Sequence, residues 1–140
     1  MNDSLQKVLT FQVKGVMYGI DILKVREIVG RQTITPLPDS DKHVCGVINL
    51  RGSIIPVIDL ASCFHNTFVE ETPKSCIVVV DGHERTGILV DAVCHVESFT
   101  AQQIDKACGV HSSKHYVLGV AKSAHNEVVL LDLDYLLRPM

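Results

Sequence analysis

Most apolar residues of this chain fall in short β-branched runs cut by turn residues: 8–13, 16–22, 44–50, 54–60, 76–80, 86–90 and 128–133. Runs of that length, rich in valine and isoleucine, read as strands. Lys14-Gly15, Arg51-Gly52 and Asp81-Gly82 separate successive runs, and a glycine there supplies the positive backbone angle of a tight hairpin. The pattern predicts antiparallel meanders. Helix is expected for only about a turn after Asp59, and again after Asp132 or Asp134, where an aspartate caps 61–64 or 135–137. Between these runs, Val25-Arg26-Glu27-Ile28 alternates so that Val25 and Glu27 share one strand face and Arg26 and Ile28 the other.

The chain also repeats itself in character more than in identity. Val44-Cys45-Gly46-Val47 and Ile55-Pro56-Val57-Ile58-Asp59-Leu60 match Val117-Leu118-Gly119-Val120 and Val128-Val129-Leu130-Leu131-Asp132-Leu133, at a constant offset of 73 residues (46 to 119, 59 to 132). Upstream, Gly19-Ile20, Val25 and Ile28 match Gly87-Ile88, Val93 and Val96 at an offset of 68 (19 to 87). Two similar β units of about five strands each suit two small packed barrels better than two independent sandwiches. The expected domain is 8–137, with a first barrel over 8–67, a second over 76–137, a polar connection near 68–75, and possible strand exchange between the two.

Composition narrows the function. With 140 residues and 46% hydrophobic content the chain supports a core. Thirteen Lys and Arg against sixteen Asp and Glu give a net charge of -3, which argues against nucleic acid, whose binding rests on a basic surface. Met1 to Thr10 lacks the basic-then-apolar order of a signal peptide, and no apolar run approaches the roughly 20 residues of a membrane span. The expected location is the cytoplasm, with no membrane insertion. Five cysteines without C-x-x-C spacing fit a reducing compartment and buried thiols. The sharper alternative is a thiol- or metal-based sensor in which His43 and Cys45 join Cys63 and His65 as zinc ligands, although neither i, i+2 spacing is a finger or ribbon signature.

No catalyst assembles from the sequence: it has no phosphate-cradling glycine loop, nucleophile elbow or zincin helix, and its serines have no evident base. Asp132 and Asp134 read as a strand end and a cap rather than as magnesium ligands. No enzyme and no cofactor are expected. The most informative stretch is 46–60, where Arg51 stands alone at a hairpin tip and Pro56 marks an edge or bulge. Glu27 and Arg51 are natural ion-pair partners.

At these residues the sequence resembles the CheW family over about 8–137. The resemblance rests on Phe11-Gln12-Val13, Val25-Arg26-Glu27-Ile28, Pro36-Leu37-Pro38, the turn from Gly46 to Gly52, the strand from Pro56 to Leu60 and the closing run from Leu130 to Asp134, in that order. It departs from the family in 106–115, where Ala107 and Cys108 stand in a loop often proline-bearing in relatives. The resemblance implies an all-β fold of two packed SH3-like five-stranded barrels with short helical turns. It also implies an adaptor that couples the cytoplasmic signalling tip of a chemoreceptor to the regulatory domain of a CheA-type histidine kinase. The family residues of the receptor groove correspond to Val25, Glu27, Gly46 and Arg51. Val25 would offer apolar surface, Gly46 would let a backbone approach, and Glu27 with Arg51 would fix the groove wall. The kinase surface is expected mainly on the second barrel, near the apolar run 86–93.

Overall fold

The computed structural model describes residues 5–38, 43–65, 72–82, 84–106, 116–123 and 126–137, and each apolar run in them is a strand. In chain order the elements are β1 (Gln6–Val13), β2 (Val16–Asp21), β3 (Val25–Val29), β4 (Val44–Leu50), β5 (Ser53–Asp59) and α1 (Leu60–His65). They continue with β6 (Cys76–Asp81), β7 (Arg85–Val90), β8 (Ala92–Phe99), β9 (Ile104–Asp105), β10 (Val117–Lys122), β11 (Glu127–Leu131) and α2 (Leu133–Leu136). Both short helices start where an aspartate caps them. Asp59 Oδ1 accepts from the Ala61 and Ser62 amides at 2.9 and 3.3 Å, and Asp132 Oδ1, rather than Asp134, accepts from the Tyr135 amide at 3.3 Å.

Two sheets result, and neither is a simple meander. The first has the order β3-β6-β7-β5-β4 and the second β8-β1-β2-β11-β10-β9. The hairpin β1–β2 therefore completes the sheet built from late strands, while β6–β7 completes the sheet built from early ones. This exchange makes one pair in each sheet parallel: β5 with β7, and β11 with β2. The wholly antiparallel expectation fails there because those partners come from different hairpins.

The internal repeat extends to register. Val57 pairs with Gly87 in the first sheet as Leu130 pairs with Gly19 in the second. On the other side, Val25↔Val80 and Ile28↔Val78 correspond to Val93↔Phe11 and Val96↔Leu9, with a bulge inside each pair. Gly46 and Gly119 occupy matching bulges at φ 150° and 159°. A Cβ on Gly119 would come within 2.7 Å of the Asp105 carbonyl oxygen, and one on Gly46 would collide with the Thr35 carbonyl and with Ile34 Cγ2. Only glycine lets those crossing segments lie so close. The counterpart of the two-residue strand β9 is the Thr35–Val47 bridge, closed by amide-to-carbonyl bonds of 2.8 and 2.9 Å.

Two of the three predicted tight turns have left-handed central residues, Lys14 with Gly15 (φ 51° and 79°) and Arg51 with Gly52 (φ 51° and 90°), as a two-residue hairpin requires. The third does not. The strands pair as far as Asp81 with Arg85, Gly82 is not left-handed, and its amide donates to the Glu84 carbonyl at 3.3 Å.

One core cluster joins the sheets, uniting Phe11, Val13 and Ile20 with Ile48, Val57, Val78, Val80 and Ile88. Phe64 of α1 crosses between them, with its ring centroid 5.2 Å from Tyr18 and 4.9 Å from Tyr116. Burial first, then mutual charge repulsion, pushes the Tyr18 phenol above its ordinary value. A smaller cluster of Val8, Phe99, Ala121, Val128 and Leu130 belongs to the second sheet alone.

The repeat departs from symmetry at the β8 bulge. In the second sheet the β8 bulge is closed by the buried Thr10 hydroxyl, which donates to the His95 carbonyl at 2.8 Å and accepts the His95 amide at 3.3 Å. Its counterpart facing Glu27 is Val79. Thr10→Val should therefore cost about 1–3 kcal/mol in urea unfolding, because near-isosteric exchange leaves the bulge amide and carbonyl unmatched. The His95 amide should lose protection from hydrogen exchange, and unchanged stability would refute this role.

Candidate protein-binding surface

The first sheet ends on β3, an edge strand paired only with β6. A bulge between Val25 and Glu27 bends it there, yet accessibility still alternates: Val25, Glu27 and Val29 are half-buried while Arg26 and Ile28 are exposed. Val25 and Val29 pack on the shared core. Arg26 turns outward to Asp81 at 3.4 Å, and Asp81 also takes Arg85 at 3.7 Å.

The β4–β5 hairpin brings Arg51 to this strand. Asn49 Oδ1 accepts the Gly52 amide at 2.9 Å, which tightens the turn, and from its tip Arg51 Nη2 forms an ion pair with Glu27 Oε1. The Arg51 side chain is 69% exposed and that of Glu27 27% exposed, so the pair has one wet member and one partly enclosed member. Two exposed isoleucines lie close to its members in the chain. Ile28, beside Glu27, is 44% exposed, and Ile54, just past the hairpin tip, is 63% exposed.

Of the four residues singled out by resemblance, Glu27 and Arg51 meet directly and Val25 lies on the same strand as Glu27. Gly46 is buried, and the backbone that approaches it is the chain's own at Thr35. Its bulge seats the segment before β4. Sequence reasoning missed Ile28 and Ile54 as surface groups. Isoleucine in a strand reads as core, and only the edge position of β3 and the hairpin tip expose these two.

The apolar run expected to face the kinase is interior. Thr86, Ile88, Leu89 and Val90 are between 0% and 7% exposed, and β7 belongs to the same sheet as the Arg51 hairpin. Strand exchange overturns that expectation, since β7 has neighbours on both edges and a filled core beneath it.

The sensor alternative finds no support. His43 Nδ1 lies 3.2 Å from Ser62 Oγ, and Cys45 Sγ donates to the Val57 carbonyl at 3.4 Å. Among the described residues no three His, Cys, Asp or Glu side chains are grouped to hold a metal ion. Burial raises the Cys76 thiol, and desolvation with the Glu97 carboxylate nearby raises Cys94. A reactive thiol needs the opposite shift. Cys108, His111, His115 and His125 lie outside the described residues, as does the 107–115 part of the loop noted above.

Two sheets exchanging hairpins around one core, with an ion pair joining a hairpin tip to an exposed strand edge, have the form of a protein-binding scaffold. A family model described as the CheW-like domain matches residues 7–139. The chemotaxis protein CheW of Klebsiella aerogenes is 36% identical over 135 residues, covering 94% of this chain and 81% of that one. The CheW of Thermotoga maritima is 34% identical over 128 residues, covering 91% and 85%. The crystal structure of the scaffolding protein TtCheW from Thermoanaerobacter tengcongensis superposes with a TM-score of 0.86 at 31% identity, covering 97% of this chain and 94% of that one. The chain belongs to the CheW-like family and is a chemotaxis scaffold.

An exposed ion pair contributes about 0–1 kcal/mol, so Arg51→Ala should leave the thermal midpoint nearly unchanged. Scanning calorimetry checks this. A large fall would mean that the hairpin tip supports the fold rather than a partner.

Proposed function

We propose that the chain couples the cytoplasmic signalling tip of a chemoreceptor to a CheA-type histidine kinase in the cytoplasm, with Val25, Glu27 and Arg51 forming the receptor-facing surface and Gly46 supporting it from within. The observation that carries this reading is the Glu27–Arg51 pair, which draws a hairpin tip onto an exposed strand edge. Exposed Ile28, next to Glu27 in the chain, and Ile54, just past the hairpin tip, add apolar surface of the kind a helical hairpin packs on. No described helix is long and apolar enough to cross a membrane, which is compatible with a partner that meets the receptor at its cytoplasmic end.

Reconstitution of receptor-containing membranes, kinase and this chain tests the reading. The wild type should raise kinase autophosphorylation in a receptor-dependent way. Arg51→Ala should reduce its apparent affinity for the receptor about fivefold, the equivalent of about 1 kcal/mol. A wild type without effect on the kinase would contradict the coupling role, and an Arg51→Ala protein that couples normally would remove Arg51 from the surface.

A further inference from the structure

The internal repeat exposes a difference between the sheets that the coupling role does not use. In the second sheet a crevice of about 180 Å3 opens between β2 and β11, floored by Val8, Leu130 and Leu133. Leu118 stands at its edge, 45% exposed, and Asp21, Asp132, Asp134 and Lys24 form the rim. The matching positions in the first sheet are small or enclosed. Cys45 stands for Leu118, buried Ala61 for Asp134, buried Asp59 for Asp132, and Ala92 for Lys24. One copy of the repeat is thus closed, while the other carries a large exposed leucine and added charges.

Size and charge select the occupant. Small-molecule pockets run to roughly 300–1,000 Å3, so this crevice takes one or two side chains of a protein. Lys24 Nζ lies 3.4 Å from Asp134 Oδ1, which offsets one of the three rim carboxylates. Asp21 accepts the Leu23 amide and Asp132 the Tyr135 amide, hydrogen bonds that leave their negative charge uncancelled. An apolar floor under an acidic rim complements an aliphatic side chain next to a cation. We propose that this crevice is a second docking site, separate from the Glu27–Arg51 surface, for a protein segment presenting leucine-like side chains beside arginine or lysine. The proposal goes beyond receptor coupling and stands independently of it.

The test is an amide NMR titration of the full chain with the peptide acetyl-Gly-Leu-Arg-Leu-Gly-amide, against a control with glutamate in place of arginine. Shifts at Gly19, Leu118 and Leu130 should saturate with a dissociation constant of about 1 mM, the weak end expected of a short flexible probe. The glutamate peptide should bind at least about threefold more weakly, within the range of one exposed charge contact. Asp21→Asn retains the capping oxygen while removing the charge, so it should weaken the arginine peptide to a similar degree. Leu118→Glu, at an exposed position, should abolish the shifts while keeping the wild-type spectrum elsewhere. Absence of saturable shifts, equal binding of the two peptides, or shifts centred on Glu27 and Arg51 would overturn the proposal.

Discussion

The structure depends on two parallel strand contacts, each centred on a buried glycine. Leu130 lies against Gly19 and Val57 against Gly87. A Cβ on Gly19 would come within 2.9 Å of Val128 Cγ1 of β11, and one on Gly87 within 3.3 Å of Val57 Cγ2 of β5. The hairpins β1–β2 and β6–β7 can cross into the opposite sheet because a side chain is missing where they dock. Without that crossing each sheet would lack its middle strands, and the shared core of Phe11, Val57, Val80 and Ile88 would not close.

The partner surface inherits its geometry from this exchange. β6 comes from beyond α1 yet supports β3, so Glu27 is held by a strand distant in the chain. The hairpin carrying Arg51 reaches the same sheet through the β5–β7 contact. The ion pair is thus the meeting of two elements whose positions were set by long-range pairing. It adds little to stability, and its contribution is orientation. Ile28 and Ile54 remain exposed because no described element covers the edge strand or the hairpin tip.

Much of this was legible in the sequence. Short β-branched runs located most strands, Asp59 and the Asp132–Asp134 pair located the caps of the two described α-helices, and the offset between Gly46 and Gly119 revealed the repeat, though not its bulges. The Glu27–Arg51 pair was legible because an arginine before a turn glycine must project, and a strand glutamate was the natural acceptor. What escaped was what local pattern does not encode. β8 was recognised only through the repeat, since its bulge and its exposed Cys94, His95 and Ser98 blur the alternation. The run at β7 looked like available surface and is core, because strand neighbours are chosen by packing across the whole chain rather than by periodicity. Gly46 was read as a place where a partner's backbone approaches; inside the molecule the backbone lying against it is that of Thr35.

The central claim is that Glu27 and Arg51 act as a pair that orients a receptor-facing surface. Receptor-dependent kinase activation by Glu27→Arg, Arg51→Glu and the doubly exchanged protein tests it most directly, because the exchange rebuilds the pair with its charges reversed. If orientation is the role, each single change weakens coupling and the double exchange restores most of it. A double variant as defective as the worse single one would contradict the account.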